Sequence, residues 1–148
     1  EKQELKKIDE ANFDEKAKAE FLQGAKIAYE TIVTNFAADD LKNIKTLLDK
    51  KVFVSFGDAI KEKKNKGLIS ETTFIGINSA NIKEFNQKNN IFDVTVDFVS
   101  EIISCIKDKD KKIVSGDPVK IKKVHDTWKF SRDIQSLSPN WLLIDTQA

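Results

Sequence analysis

The chain is poor in the residues that carry most enzyme chemistry. Its 148 residues include one cysteine (Cys105), one histidine (His125), one arginine (Arg132), two prolines and no methionine. A single cysteine excludes an internal disulfide and builds no metal cluster by itself. There is no Gly-rich phosphate loop, no Cys/His ligand spacing and no HExxH, so no metal and no cofactor are expected. No apolar run approaches the roughly 18–20 residues needed to span a bilayer. Charge of one sign is also scarce: 25 Lys+Arg against 24 Asp+Glu leave a net +1. Such a balance gives no whole-molecule field for nucleic acid, and no nucleic-acid partner is expected. No targeting segment is visible, and a start at Glu1 rather than Met is expected of a soluble domain of a longer chain.

What is present reads as one soluble globular unit, with 40% hydrophobic and 33% charged residues and enough length for a proper core. The first sixty-odd residues have helical period. "NFDE" (12–15) resembles a capping box, with Asn12 as the cap and Glu15 reaching back. From there Phe21, Ala25, Ala28, Ile32 and Phe36 recur at helical spacing, and Leu22, Tyr29 and Val33 widen the stripe. The spacing predicts a helix of about 24 residues, ~36 Å long. Asp39 is expected to cap a short helix through Leu47 and Leu48. A further helix over 52–64 would bury Val52, Phe53, Phe56 and Ile60 and stop at Gly67. Its closing run "KEKKNK" (61–66) reads as a solvated helix end, where cations suit the unpaired carbonyls.

After Gly67 the period changes to two. Phe92, Val94, Val96 and Phe98 alternate with Asp93, Thr95 and Asp97, the mark of a half-buried strand. The pattern changes phase near Val99, which predicts a bulge or bend in this strand. "NQKNN" (86–90) and "KDKDKK" (107–112) read as turns of a meander. Pro118 in "GDP" marks an edge or a break. Val124, Asp126, Trp128 and Phe130 share one strand face, with His125, Thr127 and Lys129 on the other, and 141–144 form a last strand. Helices first and an antiparallel meander after them is an α+β pattern.

The catalytic candidates are few. His125 and Asp126 are adjacent in a strand and point to opposite faces, so they do not readily form an orienting pair. Tyr29 is a possible acid. Asp126 is a carboxylate on the face shared with Trp128 and Phe130. In an apolar pocket it would have a raised pKa and could act as a base. Paired with a cation it would be structural, with Arg132, of the same parity, as the first partner to consider. Buried charges are usually paired, and the planar guanidinium suits a carboxylate among aromatic rings, so structural pairing is favoured. Trp128, Phe130 and Trp141 read as core, and His125 as a surface residue.

Two stretches carry a resemblance. "FLQGAKIAYETIVTNFAADDLKNIKTLLDKKVFVSFGDAI" followed by "GDPVKIKKVHDTWKFSRDIQSLSPNWLLIDT" is similar to the Tim44-like domain over 21–146. The most specific part is the ending, with Asp126, Trp128, Phe130 and Arg132 at alternate positions and Pro139, Asn140 and Trp141 before an apolar strand. Ser131 departs from the family, which often has Glu before the arginine. The family includes the C-terminal domain of a peripheral, matrix-side subunit of the mitochondrial presequence translocase, bacterial proteins and a mitochondrial large-ribosomal-subunit protein. The resemblance implies a nuclear transport factor two-like (cystatin-like) cone, with N-terminal helices packed on a curved antiparallel sheet and an apolar pocket between them. It implies no enzyme. It implies a membrane-associated adaptor or tether in protein translocation, at a bacterial inner membrane or on the mitochondrial matrix side. Its partners would be anionic membrane lipid and a polypeptide client or inner-membrane complex. The Lys- and Asn-rich usage suits a bacterial, rickettsia-like member. The alternatives are a small-molecule enzyme using the pocket with Asp126 or Tyr29, and a scaffold for a membrane complex or ribosome.

Three site expectations follow from the residues. Residues 1–20 form a helical arm before a domain at 21–148, and Leu5, Ile8, Lys6, Lys7, Lys16 and Lys18 dock it onto anionic lipid. Small alanines leave an apolar pocket between Phe21, Ala25, Ala28 and Ile32 of the long helix and Val94, Val96 and Phe98 of the sheet. Asp126, Trp128, Phe130, Arg132 and Trp141 are scaffold, with Arg132 held by a carboxylate.

Overall fold

The computed structural model describes residues 8–138 and 140–147. Helix α1 spans Glu15–Ala37 and is capped by Asp14, whose Oδ1 accepts from the backbone N–H of Ala17 at 2.9 Å. Asn12, the expected cap, instead ends a short 3-10 helix, Glu10–Asn12, that is capped by Asp9. A carboxylate at Asp14 both satisfies a free N–H and complements the positive end of the helix. α1 runs unbroken through residues 20 and 21, where an arm was expected to meet the domain. Phe13, before the helix, already belongs to the core and packs edge-on against Phe21, Phe85 and Phe92.

After α1 the chain turns through Asp39, which has φ of 60° and does not cap a helix. The following 3-10 helix, Lys42–Leu47, has no side-chain cap. Asp40 next door accepts instead from the side chain of Asn43 at 2.6 Å. Helix α2, Lys50–Asn65, is capped by Asp49 through the N–H of Val52 at 2.8 Å. It ends with Lys63 and Lys64 in its last turn and Gly67 at φ of 69°.

The strands are β1 (Ile69–Lys88), β2 (Ile91–Lys107), β3 (Ile113–Gly116), β4 (Lys122–Asp133) and β5 (Leu142–Gln147). They form one sheet in the order β1-β2-β4-β5, with β3 also paired to β2, and every pairing is antiparallel. The first two strands have 20 and 17 residues, far more than the usual five or so, and strands of that length must coil. The coil is produced in β1, where the register shifts at Phe74/Gly76, Ile77/Ser79 and Ile82/Glu84. The bulge expected near Val99 is absent: β2 holds register with β4 without a break from Ile91 to Ile102. The apparent change of phase arises because Ser100 and Ser104 take inward positions where an alternating pattern would have large apolar residues.

Phe21, Ala25, Tyr29 and Ile32 of α1 lie buried on one face of this sheet. Phe92, Val94, Val96, Phe98, Trp128 and Phe130 meet them, all 5% exposed or less. At the far edge Leu48 bridges to Leu143, and the N–H of Asp49 donates to the Leu143 carbonyl at 3.1 Å. The result is the expected α+β arrangement, with helices on one face of a curved antiparallel sheet.

Two glycines test the backbone description. Gly116 has φ of 79°, and a Cβ there would overlap the Ser104 carbonyl oxygen and stand 2.8 Å from the Cα of Cys105. Gly76 has nothing within 4 Å of an added Cβ. Gly116→Ala is expected to lower the urea unfolding free energy by about 1–3 kcal/mol. Gly76→Ala should leave it within about 1 kcal/mol of the parent.

Candidate functional site

Tyr29 is the one long polar side chain that α1 sends into the core, and it is 1% exposed. Its ring stacks on Phe98 with centroids 4.3 Å apart and leans on Trp128 at 4.6 Å. Its hydroxyl donates to Asp126 Oδ2 at 2.6 Å and lies 2.9 Å from Ser100 Oγ. The three residues come from α1, β4 and β2, and Phe98 pairs with Asp126 across the ladder. Burial, and then the bond to the Asp126 carboxylate, push the phenol well above its usual value of 10.0. The proton is therefore held firmly, in a group closed off from solvent.

Asp126 is thus partnered by Tyr29 and not by Arg132. The two expected partners share a strand face but are six residues apart, or ~20 Å at the rise of a strand. Arg132 lies opposite Phe92 at the end of β4. Its buried Nε has no hydrogen-bond partner, and no ion pair to it forms among the described residues. His125 is exposed on the opposite face from Asp126. Among the described residues no three His, Cys, Asp or Glu side chains come together as a metal site would need.

Beyond Tyr29, α1 and the sheet diverge. Between the C-terminal half of α1, α2 and the beginning of β1 lies a cavity of about 500 Å³. Ile32 and Phe36 line it from α1, Phe56 and Ile60 from α2, and Ile102 and Ile106 from β2, with Trp128 also in the wall. The polar groups in the lining satisfy one another. Thr72 and Ser104 hydroxyls are 3.0 Å apart, and Lys63 Nζ donates to Asp39 at 2.5 Å and to Ser70 Oγ at 3.2 Å. The ion pair also ties the end of α1 to α2. With their hydrogen bonds used among themselves, these groups leave an apolar wall, the usual character of a site for an apolar ligand.

The pocket expected from the sequence is therefore placed differently. Val94, Val96 and Phe98 are at most 1% exposed and line no cavity. A helix–sheet contact filled by Tyr29, Phe98 and Trp128 leaves no space beside them. Of the four helix residues, Ile32 lines the larger cavity, while Phe21, Ala25 and Ala28 line a second one of about 250 Å³. Phe130 and Trp141 border that smaller space, and Trp141 packs edge-on against Phe21 with centroids 4.7 Å apart. Ile102, Ile106, Phe56 and Ile60 were not singled out as lining. The signal for the first two was the pair of inward serines on β2, which replace bulk with space.

The lipid-docking residues separate in the same way. Leu5, Lys6 and Lys7 lie outside the described residues, as does Pro139 of the expected turn. Ile8 packs against the core and lines the smaller cavity, so it is already committed to protein. Lys18 is 3.6 Å from Glu15 and sits over the Phe85 ring at 5.2 Å. Lys16 is exposed.

A helix pair over a coiled sheet with an apolar cavity at one end has relatives of known family. The sequence profile of the Tim44-like domain matches residues 3–148. The chain belongs to the Tim44-like domain family. This Tim44-like domain is 25% identical over 145 residues to the probable mitochondrial import inner membrane translocase subunit tin-44 of Caenorhabditis elegans. That match covers 96% of the chain and 33% of the relative, so the chain spans about a third of the relative's length. Among solved structures, the intermembrane space region of chloroplast protein ARC6 is similar at 11% identity and a TM-score of 0.49, over 82% of this chain and 94% of that one. A SEC-C motif containing protein from Rhodopseudomonas palustris is similar at 13% identity and a TM-score of 0.42, over 82% of this chain and 75% of that one. Neither superposition is close enough to carry an argument.

The held phenol proton makes a pH prediction for the Tim44-like domain. In the unfolded chain a tyrosine ionises near about pH 10, whereas the folded protein keeps Tyr29 protonated to higher pH. The stability supplied by that proton is complete below the unfolded value and is lost as pH rises toward the raised folded value. Above about pH 10, unfolding free energy should fall by about 1.4 kcal/mol per pH unit more steeply in the parent than in Tyr29→Phe. Parallel pH profiles from urea melts check this.

Proposed function

We propose that this Tim44-like domain is a non-catalytic, membrane-associated tether in protein translocation at an inner membrane. Its larger cavity takes an acyl chain or an apolar stretch of peptide. Its partners are anionic lipid and a polypeptide client or inner-membrane complex, on the bacterial or the matrix side. The family match and the translocase subunit named among its relatives support the setting. The cavity is the observation that carries the reading: about 500 Å³ bounded by Ile32, Phe36, Phe56, Ile60, Ile102 and Ile106. No helix among the described residues is long and apolar enough to cross a membrane, so contact through these residues would be peripheral.

The enzyme alternative loses support from the placement of its candidate groups. Neither Tyr29 nor Asp126 lines either of the two apolar cavities, and the Tyr29 hydroxyl is occupied by two partners. A molecule in the larger cavity meets aliphatic and aromatic walls, and the proton-carrying pair lies elsewhere.

Titration with a fluorescent fatty acid and with a labelled apolar peptide tests the cavity. The parent should bind at least one of them. Ile102→Glu with Ile106→Glu places two carboxylates in the wall and should weaken that binding by roughly tenfold or more. Equal binding by parent and variant, or none by the parent to either probe, contradicts the cavity's role.

A further inference from the structure

The surface beyond the cavity has an unusual composition. From Lys109 to Lys123 every residue except Asp117 is exposed. Ile113 is 47% exposed, Val114 54%, Val119 76% and Ile121 57%. Lys109, Lys111, Lys112, Lys120, Lys122 and Lys123 are interleaved with them. Three aspartates oppose these six lysines, an excess larger than the +1 of the whole chain. The rest of the molecule is therefore net acidic, and the positive charge is concentrated here.

The segment is held in shape. Gly116 approaches the backbone of Ser104 so closely that no side chain fits, and the N–H of Asp117 donates to the Ser104 carbonyl at 3.1 Å. Asp117 Oδ1 accepts from the N–H groups of Val119 and Lys120 at 2.8 and 3.0 Å. Asp108 Oδ1 does the same for Asp110 and Lys112 at 2.9 and 3.0 Å. Two of the three acidic groups thus fold onto backbone, while the aliphatic and lysine side chains stay outside. Neighbouring elements extend the surface. A Cβ added at Gly67 would lie 4.0 Å from the Cβ of Lys109, which places the end of α2 beside this turn. Ile69, 55% exposed, pairs with Lys107 at the start of β1.

We propose that this end of the domain, formed by the β2–β3 turn, β3 and the 117–121 loop, is the face that sits on an anionic lipid bilayer. Val119 and Ile121 enter the headgroup region while the lysines meet lipid phosphates. Charge complementarity and exposed aliphatic groups on one surface are what peripheral membrane contact requires. The stretch 108–123 contains no arginine and no aromatic residue. Protein interfaces are enriched in those residues and depleted in lysine, and single-stranded nucleic acid is bound on aromatic platforms. The position also suits the cavity. The groove bordered by Lys120, Ile121 and Lys122 shares Ile102, Ser104 and Ile106 with the cavity wall. A bilayer against this face therefore lies next to an apolar space. The assignment rests on the reading above that the domain works at a membrane, and it places the contact away from residues 1–20.

Co-sedimentation with phosphatidylcholine vesicles, with and without cardiolipin, tests it on the whole chain. Val119→Asp with Ile121→Asp changes two exposed side chains, so thermal melts should match the parent. The parent should bind cardiolipin vesicles in preference to neutral ones. The paired variant should lose roughly tenfold or more of that affinity, and Lys6→Glu with Lys7→Glu should keep most of it. If the 119/121 variant binds as the parent does while the 6/7 variant loses binding, this surface is overturned and the tether reading stands. If the parent binds neither vesicle, both are overturned. If the 119/121 variant keeps vesicle binding but loses retention on a polyuridylate column, the surface belongs to RNA and the proposal fails.

Discussion

A single phenol decides how the helical layer meets the sheet. Tyr29 reaches from the middle of α1 to Asp126 on β4 and Ser100 on β2, and its ring lies against Phe98 and Trp128. A buried hydroxyl needs its partners, since leaving one unpaired costs about 1–3 kcal/mol. Apolar contacts alone allow a helix to slide or rotate over a sheet. A short hydrogen bond to one carboxylate does not, because a turn of a few degrees would strand both groups. The aromatic stack and the polar tie together set one azimuth and one height for α1.

The cavities are consequences of that docking. The sheet coils because β1 carries three register shifts over 20 residues, whereas α1 is a regular helix. A regular helix and a coiled sheet touch closely over a limited length and part on either side of it. On one side the N-terminal half of α1 parts from Phe130 and Trp141 and leaves the smaller space. On the other, Ser104 on β2 faces Ile32 and Phe36 across the larger space, and α2 closes it from above. The Lys63–Asp39 pair, with side chains 17% and 27% exposed, joins the two helices at that end. Partial burial gives such a pair more weight than a fully exposed one, and its second bond to Ser70 extends it to the sheet.

Much of the fold was legible in the amino-acid order. The 3.6-residue stripe from Phe21 to Ile32 and the two-residue alternation from Phe92 to Phe98 are direct records of one-sided burial, and both elements form as the patterns require. Val124, Asp126, Trp128 and Phe130 share a face for the same reason. The errors have physical causes. Asn12 and Asp14 are both good helix caps, and local sequence does not say which carboxylate or amide will be chosen. A serine at an inward strand position looks like a change of phase, because periodicity registers polarity and not direction. The partner of Asp126 was sought along its own strand, although the group that binds it comes from 97 residues away. Such a contact leaves no spacing signature. The cavity was placed on the wrong strand residues because its position depends on where the sheet diverges from the helix, which only the three-dimensional coil determines. The basic and aliphatic run at 107–123 was visible as a turn, and its exposure is a property of the folded surface.

The docking of α1 is open to direct measurement by a double-mutant cycle on Tyr29→Phe and Asp126→Ala, read by urea unfolding at neutral pH. A hydrogen bond to a charged, partly buried partner should appear as a coupling of about 1.5–3 kcal/mol between the two substitutions. Additive effects within about 0.5 kcal/mol would mean that the phenol and the carboxylate do not depend on each other, and that something other than this tie sets the helix on the sheet.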